Sequence, residues 1–250
     1  MSENLARVRE RIDLAASRAG RRTNEITLIA VSKTHSERKI WELYEAGVRH
    51  FGENRVQERE AKQALTSELD AVWHMIGHVQ KNKVARAVAL FDSIDSVDSV
   101  ALAEKIERAA TDFTAENAMN AEKRETDRES KLFASGNRLR VLIEVKLDPE
   151  PAKSGVDGKG LARLVETVMR LPHLDLRGLM GVPPYFDDPK QVRPYFRHLR
   201  ELRECVRVQL GAEILPVLSM GMSLDFEIGI EEGATEVRVG TALFGDRERM

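Results

Sequence analysis

Apolar residues recur along this chain in two alternating rhythms. Leu5, Val8, Ile12, Ala15 and Ala16 fall at helical spacing between Ser2 and Ala19, with Ser2 or Asn4 available as a cap and Gly20 as the stop. Ile26-Thr27-Leu28-Ile29-Ala30-Val31 follows, a short β-branched run of the kind buried on both faces in a parallel sheet. Further strands are predicted at 48–51, 72–76, 91–94, 139–145, 174–180, 214–218 and 236–239. Helices are predicted over 36–46, from Asn54, over 79–89, from Ser99, over 160–170 and over 189–210, with a last one starting near Thr241. Eight strands alternating with helices in 250 residues predict an α/β fold, a closed (β/α)8 TIM-type barrel with an extra N-terminal helix, as one domain over residues 1–250. A doubly wound open sheet would use the same parallel strands and is the alternative; the count of eight favours the barrel.

One stretch breaks the rhythm. The connection from Thr111 to Asn137 is longer than a helix-to-strand link needs, and 122–131 is nearly all charged. Such composition buries no core, so a solvated helical extension or a disordered loop is expected there, with a partner-binding arm as the lesser alternative.

Composition narrows the class of partner. Lys plus Arg total 39 and Asp plus Glu 41, a formal charge of −2, so no general attraction to nucleic acid or anionic lipid is expected. No stretch approaches membrane-span length and Met1-Ser2-Glu3-Asn4-Leu5 opens no signal-peptide core. The one cysteine, Cys205, cannot form an internal disulfide, which points to a reducing, cytoplasmic setting; it is expected to be a small buried apolar residue.

In a parallel barrel, chemistry gathers at the C-terminal ends of the strands. Strand one ends in Val31-Ser32-Lys33-Thr34-His35. A lysine there is either desolvated, which makes its neutral amine accessible for a Schiff base, or snorkels to solvent; position alone does not choose. Ser219-Met220-Gly221-Met222-Ser223 and Gly240-Thr241 follow strands seven and eight, where barrels commonly hold phosphate with backbone N–H groups. A lysine on strand one facing such turns suggests a phosphate-bearing aldehyde cofactor. Lys153 to Gly160 reads as a flexible loop with a phosphate role open. His74 and His78 are four apart but straddle a strand end and lack the Glu of a zinc-protease helix, so no metal site is expected. No Ser/His/Asp arrangement is legible, and Glu231-Glu232 are expected at a solvated helix end.

Several segments resemble one family: Ala30 to Thr34, Phe51-Gly52-Glu53-Asn54-Arg55-Val56-Gln57-Glu58, Trp73 to Gly77 with Gln80-Lys81-Asn82-Lys83, Leu218 to Ser223, and Glu236 to Gly245. The family is the pyridoxal phosphate homeostasis proteins, and the likeness runs through essentially the whole chain. It implies a barrel like the N-terminal domain of alanine racemase, with pyridoxal 5′-phosphate (PLP) on Lys33. It implies Arg238 facing the pyridine nitrogen, Ser219, Gly240 and Thr241 holding the phosphate, Met220 and Ser223 close by, and Asn54 lining the cofactor face. The family is associated with holding and delivering PLP, with apo PLP-dependent enzymes as partners, and with no well-established turnover; no catalytic residue is expected. Two departures stand out: Glu144-Val145-Lys146, where the family often has Gln-Val-Asn, and the long 111–137 segment.

The competing expectation is an amino-acid racemase, which needs an acid/base group on each face of the substrate carbon. None of the three tyrosines, Tyr44, Tyr185 and Tyr195, is obviously opposite Lys33. The chain ends just past the eighth strand's helix, without the added β-domain through which alanine racemase pairs, so a carrier and a monomer are favoured.

Overall fold

The computed structural model describes residues 1–120, 138–148, 150, 153–211 and 214–245. The charged stretch at 122–131 lies outside them. Eight parallel strands close into one barrel in sequence order: β1 (Thr27–Val31), β2 (His50–Glu53), β3 (Val72–Met75), β4 (Ser93–Val97), β5 (Leu139–Val145), β6 (Leu174–Gly181), β7 (Val217–Ser219) and β8 (Glu236–Val239). Closure is made by β8 on β1, with Leu28 opposite Val237 and Ile29 opposite Arg238. The helices are α1 (Ser2–Arg18), α2 (Glu37–Glu45), α3 (Val56–Lys62), α4 (Val84–Leu90), α5 (Val100–Asn120), α6 (Gly158–Met169), α7 (Arg193–Leu210), α8 (Phe226–Glu231) and α9 (Thr241–Phe244). No helix among the described residues is long and apolar enough to cross a membrane.

The outward faces of the strands and the inward stripes of the helices form one core. Phe51, Trp73, Leu139, Val141, Leu179, Val237 and Val239 meet Leu43, Val88, Leu164, Phe196 and their neighbours. At about 1.5–3 kcal/mol for each large apolar side chain removed from water, this layer is the main favourable term of folding. Helix α1 buries the expected Leu5, Val8, Ile12, Ala15 and Ala16 and packs against α8 and α9. Its first residues do not cap it; instead the Asn4 amide donates to the Leu243 carbonyl at 3.0 Å.

The structure moves three strands from their predicted places. Strand β2 starts two residues late and runs on through Gly52-Glu53, because Val48 belongs to the turn after Gly47 (φ 91°) and Glu53 finds buried partners. Strand β4 runs to Val97 instead of ending at Ile94, since Ser93 and Asp95 are satisfied inside the barrel. Strand β7 begins only at Val217, where Leu215 (φ 57°) and Pro216 have turned the chain.

Two further expectations are corrected. Cys205 is exposed: Leu199 and Val206 carry the buried stripe of α7, and Cys205 is turned about 100° away from Val206. Glu232 is buried at 4 % exposure and gathers Arg193 (3.0 Å), Arg197 (3.3 Å) and Arg200 (3.2 Å) from the start of α7. Three arginines replace the water that a helix end would otherwise offer this carboxylate, and they hold its pKa low against burial.

Candidate functional site

Lys33 stands two residues past the end of β1 and is half-buried. The turn that carries it is strained and clamped. Thr34 has φ 63°, a left-handed conformation that β-branched residues avoid, and such strain persists only where surroundings enforce it. Enforcement comes from the Ser32 carbonyl, which accepts from His35 N at 3.1 Å and from Lys62 Nζ at 2.8 Å. Lys62 also donates to Glu53 Oε1 (2.7 Å), which accepts in addition from Ser32 Oγ (2.7 Å). His35 stacks on Phe244 at 4.5 Å, tying the turn to α9. Glu53 is fully buried, and burial pushes its pKa up to about 7 although Lys62 and Ser32 oppose the rise.

A cavity of about 500 Å³ opens at this rim, within the range of small-molecule sites. Of the residues singled out in the sequence, Lys33, Asn54, Ser223, Arg238, Gly240 and Thr241 line it. Ser219 and Met220 are fully buried and are not on its wall. Ser219 instead lies behind Arg238, accepting from Nη1 at 2.8 Å, while Nη2 donates to the Gly181 carbonyl at 2.9 Å. The guanidinium is thereby held rigidly. Burial lowers its pKa, and the carboxylates of Asp95, Glu144, Glu236 and Asp225 offset part of that cost. The Ser223 hydroxyl accepts from Gly240 N (3.2 Å) and Ala242 N (3.3 Å), which joins the turns after β7 and β8 into one wall.

The same cavity takes Asp148 and Lys153 from the loop after β5, and Val182 to Phe186 from the loop after β6. Lys153 opens the loop whose phosphate role the sequence left open; applying the strand-end rule to strands five and six would have found the others. Tyr185, which had no evident place in the sequence, is on this rim but 78 % exposed. Tyr44 lies under Arg49, and Tyr195 packs on Phe186. Glu144 is pushed up in pKa by burial and then by Asp98.

A second group of polar residues, of which the sequence raised only His74 and set it aside, crosses the barrel interior. His74 is wholly buried between Asp95 Oδ2 (2.9 Å from Nδ1) and His50 Nδ1 (2.9 Å from Nε2). Burial opposes charge on His74, but the Asp95 carboxylate outweighs it and raises the pKa; His50 falls to about 4 through burial, His74 and Arg140. Arg140 pairs with Glu236. Ligand atoms of His74, Asp95 and Glu236 lie within 4.8 Å of one another. Each is already compensated by a protein partner, so the group reads as a buried ion network.

Residues 4–248 match the family model described as alanine racemase, N-terminal domain. The nearer likeness is narrower. The pyridoxal phosphate homeostasis protein of Aquifex aeolicus (strain VF5) is 42% identical over 246 residues, covering 98% of both chains. That of Pseudomonas aeruginosa is 39% identical over 248 residues, covering 99% of this chain and 96% of the relative. The chain belongs to the family of pyridoxal phosphate homeostasis proteins. Among solved structures, PipY of Synechococcus elongatus with PLP bound superposes with a TM-score of 0.76 at 38% identity, covering 95% of this chain and 100% of PipY. An alanine racemase of Clostridium difficile shares the fold at 16% identity and a TM-score of 0.63, with 52% of its length covered.

Proposed function

We propose that this chain binds PLP at the C-terminal rim of the barrel, with Lys33 as its covalent anchor, and serves the intracellular handling of that cofactor. The observation that carries the reading is that Lys33 and the buried Arg238 line one cavity of about 500 Å³ whose wall includes Ser223, Gly240 and Thr241. The PLP-bound relative PipY supports it. Ser223, Gly240 and Thr241 hold the phosphate, Asn54 lines the cofactor face, and Arg238 meets the ring nitrogen. Ser219 and Met220 act from behind this wall, Ser219 by fixing Arg238. When bound, PLP supplies an electron sink. Arg238 keeps its proton and leaves the ring nitrogen unprotonated, which weakens that sink and suits storage better than broad catalysis.

The carrier is read as a cytoplasmic monomer of one domain over residues 1–250, passing PLP to apo-enzymes, with no metal, nucleic-acid or membrane partner. The racemase reading gains one candidate from the structure, Tyr185. At 78 % exposure it is not desolvated, and among the described residues no partner side chain holds it, as one would hold a catalytic base.

Borohydride reduction of the PLP-treated protein, followed by peptide mass analysis, is expected to fix a pyridoxyl group on the Lys33 peptide. Lys33→Ala is expected to lose the visible absorbance while remaining folded. Label on another lysine alone refutes the anchor. A chiral assay over many equivalents of alanine or serine is expected to show no sustained racemisation; turnover on the order of 1 per second that disappears in Lys33→Ala would restore the racemase.

A further inference from the structure

We propose that the rim carries a second binding site, for a compact dianion of the phosphate-monoester or dicarboxylate class, in a separate cavity beside the one that holds Lys33. The segments around Asn54-Arg55-Val56-Gln57-Glu58 and Gly77 to Lys83 were prominent in the sequence, yet apart from Asn54 their side chains are absent from the first cavity. They line a cavity of about 820 Å³ of their own.

Its floor is rigid. Ile76 N donates to the Glu53 carbonyl at 3.0 Å, and a Cβ on Gly77 would stand 2.2 Å from the Asn54 carbonyl oxygen. The loops after β2 and β3 therefore touch at their bases and diverge above, with Asn54 shared between the two cavities.

The chemistry of the wall is one-sided. Arg55 comes from one loop and Lys83 from the other, and neither side chain has a hydrogen-bond or ion-pair partner among the described residues. Gln57, Gln80 and Asn54 add carboxamide donors. His78 is engaged with Asp98 at 3.3 Å. The one acid on the wall, Glu58, is turned to the buried Glu53, and one carboxylate oxygen of each is buried without another partner. Two cations on facing loops, one a guanidinium that binds planar oxyanions with paired bonds, fit a ligand with two anionic charges.

The site makes no use of Lys33 and shares only Asn54 with the proposed cofactor cavity. Calorimetric titration at low ionic strength, on protein saturated with PLP so that the first cavity is filled, tests it with inorganic phosphate and with glutarate as probes. Saturable one-to-one binding of at least one probe is expected, and the probe that binds identifies the source of the charge. Arg55→Ala and Lys83→Met are each expected to weaken it about tenfold or more, while the PLP absorbance titration stays as in the unmodified chain. Absence of saturable binding by both probes, binding that survives both substitutions, or binding that vanishes as PLP approaches saturation overturns the proposal. Failure of the chain to take up PLP registers separately in the absorbance, and the same titrations on the apo-protein with the same variants then decide the anion site.

Discussion

Replacing Glu53 with glutamine isolates the buried carboxyl beneath Lys33. Its side chain is fully buried, and Oε1 accepts from Ser32 Oγ and Lys62 Nζ, both at 2.7 Å. Burial raises its pKa from 4.5 to about 7. Below about 4.5 the carboxyl is neutral in both the folded and the unfolded chain, and stability is full. Between about 4.5 and about 7 the unfolded chain releases the proton while the folded chain keeps it, so stability falls as pH rises and levels off above about 7. At about 1.4 kcal/mol per pH unit, the loss across that window is roughly 3 kcal/mol. Glutamine keeps the shape and the acceptor without titrating. Urea unfolding of both proteins from pH 4 to 8 at constant ionic strength, with m-values checked for constancy, should therefore show the unmodified chain losing roughly 3 kcal/mol relative to Glu53→Gln. A difference that does not change with pH, or that moves in favour of the unmodified chain as pH rises, refutes the reasoning; the latter result would mean that Lys62 outweighs burial. Lys62→Met should move the window to higher pH, because Lys62 is the largest influence lowering the pKa of Glu53.

Gly77→Ala places a methyl 2.2 Å from the Asn54 carbonyl oxygen, a backbone atom that cannot swing aside. A loss of about 1–3 kcal/mol in urea unfolding is expected, and a change within experimental error would show that the two loops move freely. Ser219→Ala leaves Arg238 Nη1 without its acceptor, for an expected cost of about 1–3 kcal/mol together with weaker PLP binding in an absorbance titration; full affinity would show that Arg238 needs no support from behind. Exposed Cys205 should react with a water-soluble disulfide reagent in the native protein to one equivalent, and reaction only after denaturation would contradict its position on α7.

Much of the architecture was readable because it repeats a local rule. Apolar runs such as Ile26 to Val31 and Leu139 to Val145, separated by amphipathic helices, point to a parallel sheet covered by helices, and the count of eight favours closure into a barrel. The strand-end rule then put Lys33, Ser223, Gly240 and Thr241 at one rim, the family resemblance added Asn54 and Arg238, and the structure brings these six around one cavity. It did not bring Ser219 and Met220 there, because residues next to one another at a strand end can face a cavity or the layer behind it, and Ser219 is turned back to meet Arg238.

What the chain determined by itself is therefore whatever depends on spacing along it: the alternation, the N-terminal helix with its buried stripe, and the residues available at each strand end. What the tertiary structure alone decided depends on charges meeting across distance in sequence. Asp95 and His74 are 21 residues apart and Arg140 and Glu236 are 96 apart. Burying any one of them alone would be prohibitive, so as single letters each argues against the interior. Paired, they fill it, and the polar strand β4, the clamp of Glu53 and Lys62 under Lys33, and the three arginines on Glu232 follow from the same physics.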